Sequence, residues 1–238
     1  MSVLVTCESG GFQVPCFEAS DKAEAHEFCE LSFRGADLCG ARLASEVACQ
    51  LHAPCLKYPF HSGYVDVARP LDNRKLFGKR ASAWSDSQRS SLLEACYRPY
   101  HQRVEHAIER ILQQFTFVLH LSVRSFPPVK RGRKVRTDVG LLYDASREHE
   151  CNLCLDWIDE VYYSYGNLRL RRNYPARGNR NGLLSAMRTK FSPEQYLGVE
   201  IWFNRWWADR DVGLRDEAVY ELVEGVRVAI GLPISDAA

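Results

Sequence analysis

Apolar residues follow two patterns along the chain: short continuous runs, and segments with an apolar position every third or fourth residue. The first run, residues 3–6, is rich in β-branched side chains and leads into Gly10 and Gly11. This pattern predicts a buried strand that ends in a tight turn. Comparable runs predict further strands at residues 64–68, 117–125, 139–143, 168–170 and 196–203.

The helical spacing occupies most of the chain between these strands. From Ala36 onward, the apolar residues Cys39, Leu43 and Val47 lie three or four positions apart, and Pro54 ends the predicted helix. Similar spacing predicts helices over residues 92–115, with an interruption near Pro99, over residues 147–163, and from a cap at Asp216 to residue 230.

Strands and helices alternate along the whole chain without a linker or a repeat. We therefore expect one α/β domain over residues 1–238. Its three αβα layers would place helices on both faces of a mixed, mostly parallel central sheet.

Composition excludes several classes of protein. Hydrophobic residues make up 46% of the 238 positions, enough apolar surface to form a core, so a disordered or fibrous chain is not expected. The 31 basic and 30 acidic side chains leave a net charge of +1, and no global field attracts nucleic acid or an anionic membrane. The longest apolar run, residues 115–126, contains His120 and Arg124, so no membrane span is expected.

The cysteines and the first residues indicate a compartment. The chain begins without a basic segment and reaches Glu8 before an apolar signal core could form. Nine cysteines, an odd number, are typical of free thiols in a reducing environment. We therefore expect a cytoplasmic protein.

Polar residues follow several of the predicted strands. In open α/β sheets, ligands bind beyond the carboxyl ends of the strands. Four segments meet this condition and together form a candidate active site: residues 8–15, 124–126 and 173–182, and the surroundings of Glu200.

Eight segments in order resemble the N-formylglutamate amidohydrolase family, and the resemblance covers nearly the whole chain. No single segment is decisive, but their order and spacing make a chance resemblance improbable. The segments are residues 6–15 (TCESGGFQVP), 34–41 (RGADLCGA), 65–70 (VDVARP), 97–101 (YRPYH), 119–127 (LHLSVRSFP), 136–144 (RTDVGLLYD), 173–178 (NYPARG) and 196–200 (YLGVE).

The resemblance implies a fold similar to that of the zinc carboxypeptidases and the hydrolysis of an N-formylated amino acid by a metal-activated water. It implies that Glu200 is the catalytic carboxylate. It also implies that Arg136, Asn173 and Arg177 grip a small anionic acyl-amino acid or carboxylate. Two further residues of the family pattern, Asp66 and Arg69, remain, beside Ala68 where the family has asparagine.

The same resemblance implies zinc, yet its ligand positions hold Ser9, Phe12 and Arg124. Serine is a poor zinc ligand, phenylalanine is none, and a guanidinium has no lone pair to donate to a metal. We therefore name no metal ligand, and we place Arg124 with the anion-binding residues. Our hypothesis is that Arg124 replaces the charge of the metal and pairs with Glu200 or Glu8.

Two functions from different classes remain open. The first is an amidohydrolase that recruits metal through other residues, with Glu200 as base and with Arg136 and Asn173 positioning the substrate. The second is a catalytically inactive relative that keeps an anion- or partner-binding pocket. The basic segments at residues 130–136 and 169–180 could bind phosphate groups, but such runs are more often a solvated face, so no nucleic-acid partner is expected.

Overall fold

A computed structural model of the protein describes residues 2–15, 34–210 and 212–231. A six-stranded sheet lies at its centre, and the middle strands are the two longest. In sequence order the strands of this sheet are β1 (Val3–Cys7), β2 (Cys55–Lys57), β3 (Val118–Phe126), β6 (Val139–Leu142), β7 (Leu170–Arg172) and β8 (Tyr196–Asn204). A separate two-stranded hairpin follows β3 and consists of β4 (Val129–Lys130) and β5 (Arg133–Lys134).

The order of the strands across the sheet is β2-β1-β3-β8-β6-β7. The four strands from β2 to β8 run parallel to one another. Strands β6 and β7 are parallel to each other, but β6 is antiparallel to β8, so the sheet is mixed and mostly parallel. The carboxyl ends of β1, β3 and β8 therefore meet at one edge, where a ligand site is expected.

Helices cover both faces of the sheet. Helices α1 (Leu38–Gln50), α4 (Glu148–Ser164) and α6 (Val212–Ala229) contribute to one hydrophobic cluster with side chains of the sheet. Helices α3 (Arg98–Leu112) and α5 (Gly182–Lys190) contribute to a second cluster, which includes Leu4 and Val118 of the sheet. The predicted α/β architecture with three layers is confirmed.

Most predicted elements are present, with shifted ends, but the strand predicted at residues 64–68 is wrong. The second strand in the sequence is instead Cys55–Lys57. Residues 64–68 form turns and one isolated bridge, from Val65 to Phe77. Tyr64, Val65 and Val67 are apolar because they pack into the second hydrophobic cluster. Burial under a loop therefore produced the same run of apolar residues as a strand.

The remaining corrections concern the helices: α2 and α5 were not predicted, and the boundaries of others differ. A short helix, α2 (Asp86–Leu92), begins at a capping box formed by Ser85 and Gln88. A π-helical turn at Leu93–Tyr97 then connects it to α3, so the interruption lies just before Pro99. Helix α6 begins at Val212, and Asp216 lies inside it rather than at a cap. In the described part of the chain, no helix is long and apolar enough to cross a membrane.

Candidate functional site

Three neighbouring parallel strands bring Glu8, Arg124 and Glu200 together: Glu8 follows β1, Arg124 lies near the end of β3, and Glu200 lies in the middle of β8. An Nη2 atom of Arg124 lies 3.5 Å from Oε2 of Glu8, and its Nε lies 3.9 Å from Oε2 of Glu200. The ion pairs that the sequence predicted for Arg124 are therefore present. Both carboxylates are buried, whereas 15% of the Arg124 side chain remains exposed. Arg124 is thus a largely enclosed cation between two enclosed anions.

The electrostatics of this triad follow from burial and mutual attraction. Burial lowers the pKa of the Arg124 guanidinium, but Glu8, Asp66 and Glu200 raise it by more, so the net shift is upward. Burial raises the pKa of Glu200 above its usual range, although Arg124, Trp202 and the Asn181 amide act in the opposite direction. Arg124 therefore stays charged, while Glu200 takes up a proton more readily than an exposed glutamate.

A chain of hydrogen bonds between buried polar side chains ends at the Glu8 carboxylate. Thr6 donates to one carboxylate oxygen of Glu8 at 2.5 Å, and Ser122 donates to the other at 2.6 Å. Because the Thr6 proton is used in this way, Nε2 of His120 donates to the Thr6 hydroxyl at 2.8 Å. The other ring nitrogen then accepts from Tyr196 at 2.7 Å, which requires a neutral imidazole. Burial lowers the pKa of His120 to about 3, which agrees with this assignment.

Asp37 ties the start of α1 to the end of the central strand. Its carboxylate accepts from the backbone N–H of Gly40 at 2.9 Å and from that of Ser125 at 2.7 Å. The Ser125 hydroxyl also donates to Asp37, as does Ser9 at 3.4 Å. Since a helix N-terminus favours a negative charge, this carboxylate stabilises both elements. Ser9 therefore takes part in a structural contact.

A cavity of about 190 Å³ opens above Arg124 and Glu200. Arg177 and Arg180 are exposed, and neither takes part in an ion pair with a described carboxylate. Asn181 is buried, its Oδ1 caps α5, and its amide acts on the Glu200 carboxylate. The lining consists of Asp66, Ala68, Arg69, Arg124, Ala176, Arg177, Arg180, Asn181, Glu200 and Trp202.

Five of the seven site residues named from the sequence line this cavity, and two lie elsewhere. Asn173 uses its side-chain oxygen to accept from the backbone N–H groups of Tyr143 and Gly178, at 3.2 and 2.9 Å. Arg136 lines a separate groove beside the β4–β5 hairpin. The five that line the cavity are Glu200, Arg124, Arg177, Asp66 and Arg69, the last two joined by an ion pair of 2.8 Å.

Five lining residues are not among the seven site residues named from the sequence: Ala68, Ala176, Arg180, Asn181 and Trp202. Arg180 and Asn181 lie within the segment 173–182, which the sequence analysis named as a whole. It did not distinguish cavity residues from the residue that caps the following helix. Trp202 donates its indole N–H to Oε2 of Glu200 at 3.0 Å, and its ring lies 5.8 Å from the Arg124 guanidinium. Its position two residues after Glu200 places it on the same face of β8, which was the available signal.

The residues at the implied zinc position do not fit a metal. Arg124 brings a cation to this place, Ser9 is hydrogen-bonded to Asp37, and 40% of Phe12 is exposed. In the described ranges, no group of three or more histidine, cysteine, aspartate or glutamate side chains could hold a metal ion. Cys7 does not offer a reactive thiolate either, because burial raises the pKa of its thiol to about 12.

Comparison with known proteins identifies the family. The family model of N-formylglutamate amidohydrolase matches residues 1–197. A crystal structure of a gene product from Agrobacterium tumefaciens has a TM-score of 0.77 at 21% identity, over 97% of this chain and 90% of that one. That of N-formylglutamate amidohydrolase from Ralstonia eutropha has a TM-score of 0.70 at 18% identity, over 97% and 93%. A search of curated protein sequences found no significant match. The chain belongs to the N-formylglutamate amidohydrolase family.

Proposed function

We propose that this chain is a member of the family that binds a small anionic acyl-amino acid or carboxylate without zinc-dependent hydrolysis. One observation carries the proposal: the Arg124 guanidinium, paired with Glu8 and Glu200, stands at a position where the family resemblance implies a metal ligand. A dication at this place would be repelled by the guanidinium and would receive no lone pair from it.

Loss of the metal removes the means of activating water. A bound zinc ion lowers the pKa of its water far below that of bulk water, to about 7, and a carboxylate alone does not achieve this. Glu200 also forms an ion pair with Arg124 and accepts a hydrogen bond from Trp202. In this proposal Glu200 therefore anchors Arg124 and the wall of the cavity rather than serving as a general base.

The cavity retains groups that suit an anionic ligand. Arg177 and Arg180 have no carboxylate partner among the described residues, and a guanidinium binds a carboxylate through two parallel hydrogen bonds. Asn181, whose buried amide acts on the Glu200 carboxylate, lines the same cavity and would also donate to an acyl or carboxylate oxygen.

Binding and hydrolysis are tested on the same preparation. The full chain, with and without added zinc, is titrated with N-formyl-L-glutamate by calorimetry, and formate release is measured in parallel. We expect saturable binding and no formate release under either condition. Arg177→Gln should weaken binding at least tenfold, while Arg172→Gln, which removes an exposed arginine outside the cavity, should leave it unchanged.

The alternative function, an amidohydrolase with Glu200 as base, predicts a different result in the formate-release assay. Zinc-stimulated formate release that Glu200→Gln abolishes would overturn the proposed loss of hydrolysis. Absence of binding for N-formyl-L-glutamate, N-acetyl-L-glutamate and glutarate would overturn the proposed ligand class.

The thiols support a proposed location. The seven cysteines in the described ranges are all free, which is typical of a reducing compartment. We therefore propose a cytoplasmic protein.

A further inference from the structure

Six cationic side chains surround a groove of about 730 Å³ that is separate from the Glu200 cavity. The groove lies between the β4–β5 hairpin and the region after β7, and Val135, Thr137 and Tyr174 complete its lining. Among the described residues, no acidic side chain contributes to its lining. The six cations are Lys130, Arg131, Arg133, Lys134, Arg136 and Arg171.

The hairpin is built in a way that concentrates positive charge. Its two turn residues, Arg131 and Gly132, have φ angles of +50° and +74°, as the tight hairpin turn requires. Asparagine or glycine is favoured at the first of these positions, so an arginine there carries a conformational cost. Lys130 faces Arg133 directly across the hairpin, and like charges in such a pair destabilise it. Both features oppose the stability of the hairpin while placing cations at the groove.

Two aromatic rings hold several of these cations in place. Lys130 and Arg171 lie over the Tyr174 ring, 5.7 and 5.1 Å from its centroid. Lys134 lies 5.3 Å from the centroid of Trp206. Cation–π contacts of this kind restrict the long side chains, which lowers the entropy lost when a ligand binds. The groove is therefore partly preorganised for a multiply charged anion.

In the described part of the chain, no acidic side chain forms an ion pair that would neutralise the positive charge of the groove. No ion pair with a described carboxylate involves any of the six cations. The carboxylate of Asp138, next to Thr137, is engaged by Arg169 at 2.7 Å. A ligand with several negative charges would relieve the repulsion among the cations as it binds.

We propose that this groove binds a small polyphosphorylated anion, at a site independent of the carboxylate cavity. Its volume lies in the range of small-molecule sites, roughly 300 to 1,000 Å³. The cations converge on one concavity, and the chain as a whole carries only +1, so no extended field favours a long polyanion such as nucleic acid. Several phosphates on one compact molecule match this distribution of charge.

The test uses the full chain and inorganic tripolyphosphate, titrated by calorimetry at 50 and 200 mM salt. We expect one site per chain whose affinity falls as salt increases. Lys130→Glu should weaken binding at least tenfold and yet preserve the hairpin, because the like-charge pair with Arg133 becomes an opposite-charge pair. Lys75→Glu changes the net charge equally at an exposed position away from the groove, and should change affinity less than twofold.

Two further ligands distinguish the sources of the phosphate groups. ATP binding more tightly than tripolyphosphate would support a nucleotide, and equal affinities would support recognition of the phosphate chain alone. The proposal is overturned if tripolyphosphate does not bind, or if Lys75→Glu weakens binding as much as Lys130→Glu. It is also overturned if single-stranded oligothymidylate binds more tightly than either ligand and displaces them, because the groove would then belong to a nucleic-acid surface.

Discussion

The guanidinium of Arg124 lies 3.5 Å from the carboxylate of Glu8, and the Glu8 side chain is fully buried. Hydroxyl donors from Thr6 and Ser122 complete the coordination of that carboxylate. The positive charge at the end of the central strand is therefore matched inside the protein before any ligand enters. This relationship makes the site a closed ionic cluster and leads to a direct prediction about stability.

Arg124→Met should destabilise the fold because it leaves the Glu8 charge buried without a cationic partner. We expect a loss of about 3 kcal/mol in the free energy of unfolding, measured by urea denaturation. Adding Glu8→Gln to this variant should recover part of the loss, since the uncompensated charge disappears. A loss below about 0.5 kcal/mol in the single variant would contradict the pairing.

The pH dependence of stability should report His120. Its pKa is lowered to about 3 in the folded protein, against about 6.5 in an unfolded chain, so the unfolded state binds more protons between these values. The contribution of His120 to stability is therefore complete above pH 6.5 and declines as the pH falls towards 3, by up to about 1.4 kcal/mol per pH unit.

His120→Gln should flatten this part of the profile, because glutamine can still donate and accept hydrogen bonds but does not titrate. Unfolding by urea at a series of pH values measures the slope. His106→Gln, which replaces an exposed histidine of α3, serves as the matched control and should leave the slope unchanged. Equal slopes in the wild type and His120→Gln would mean that His120 is not the responsible group.

Much of the fold could be predicted from the sequence because its strands and helices have distinct periods. The central strand was predicted at residues 117–125 and lies at Val118–Phe126. The prediction failed at residues 64–68, since a loop covering an apolar cluster needs the same residue types as a buried strand. It also missed β2, a strand of three residues that is only partly buried.

Only those site residues whose positions follow from the strands of the sheet could be predicted from the sequence. Glu8 follows β1, Arg124 lies near the carboxyl end of β3, and Glu200 lies in the middle of β8; the parallel pairing of these strands brings the three side chains together. The position of Arg136 depends instead on how the β4–β5 hairpin folds, which turns it towards the separate groove. No local pattern specifies this, because the turn residues are not those typical of such a hairpin.

Trp202→Phe should raise the pKa of Glu200 further. The variant keeps an aromatic ring next to Arg124 but loses the N–H that donates to Glu200 at 3.0 Å and favours its charged form. The Glu200 carboxyl can be titrated directly by carbon-detected NMR, with Glu200→Gln identifying its signal. An unchanged titration midpoint would show that the indole hydrogen bond does not stabilise the carboxylate in solution.

Asn173 should stabilise its loop in two ways that can be measured separately: by its backbone conformation and by its side-chain hydrogen bonds. Its backbone has a φ of +49°, and its side-chain oxygen accepts from the N–H groups of Tyr143 and Gly178. Asn173→Gly retains easy access to this backbone conformation but loses both hydrogen bonds, which should cost about 2 kcal/mol. Asn173→Ala loses the hydrogen bonds and also strains the backbone, so it should cost about 1 kcal/mol more.

Urea unfolding of the two Asn173 variants separates these contributions. Calorimetry with N-formyl-L-glutamate should show weaker binding in both, because Arg177 lies between Asn173 and Gly178 on the loop that these hydrogen bonds hold. Wild-type stability in Asn173→Gly would mean that the hydrogen bonds contribute nothing. Equal stability of the two variants would mean that the left-handed conformation is not strained. Reduced stability with unchanged affinity would mean that these hydrogen bonds stabilise the fold but are not needed for ligand binding. Arg177 would then be positioned by other contacts.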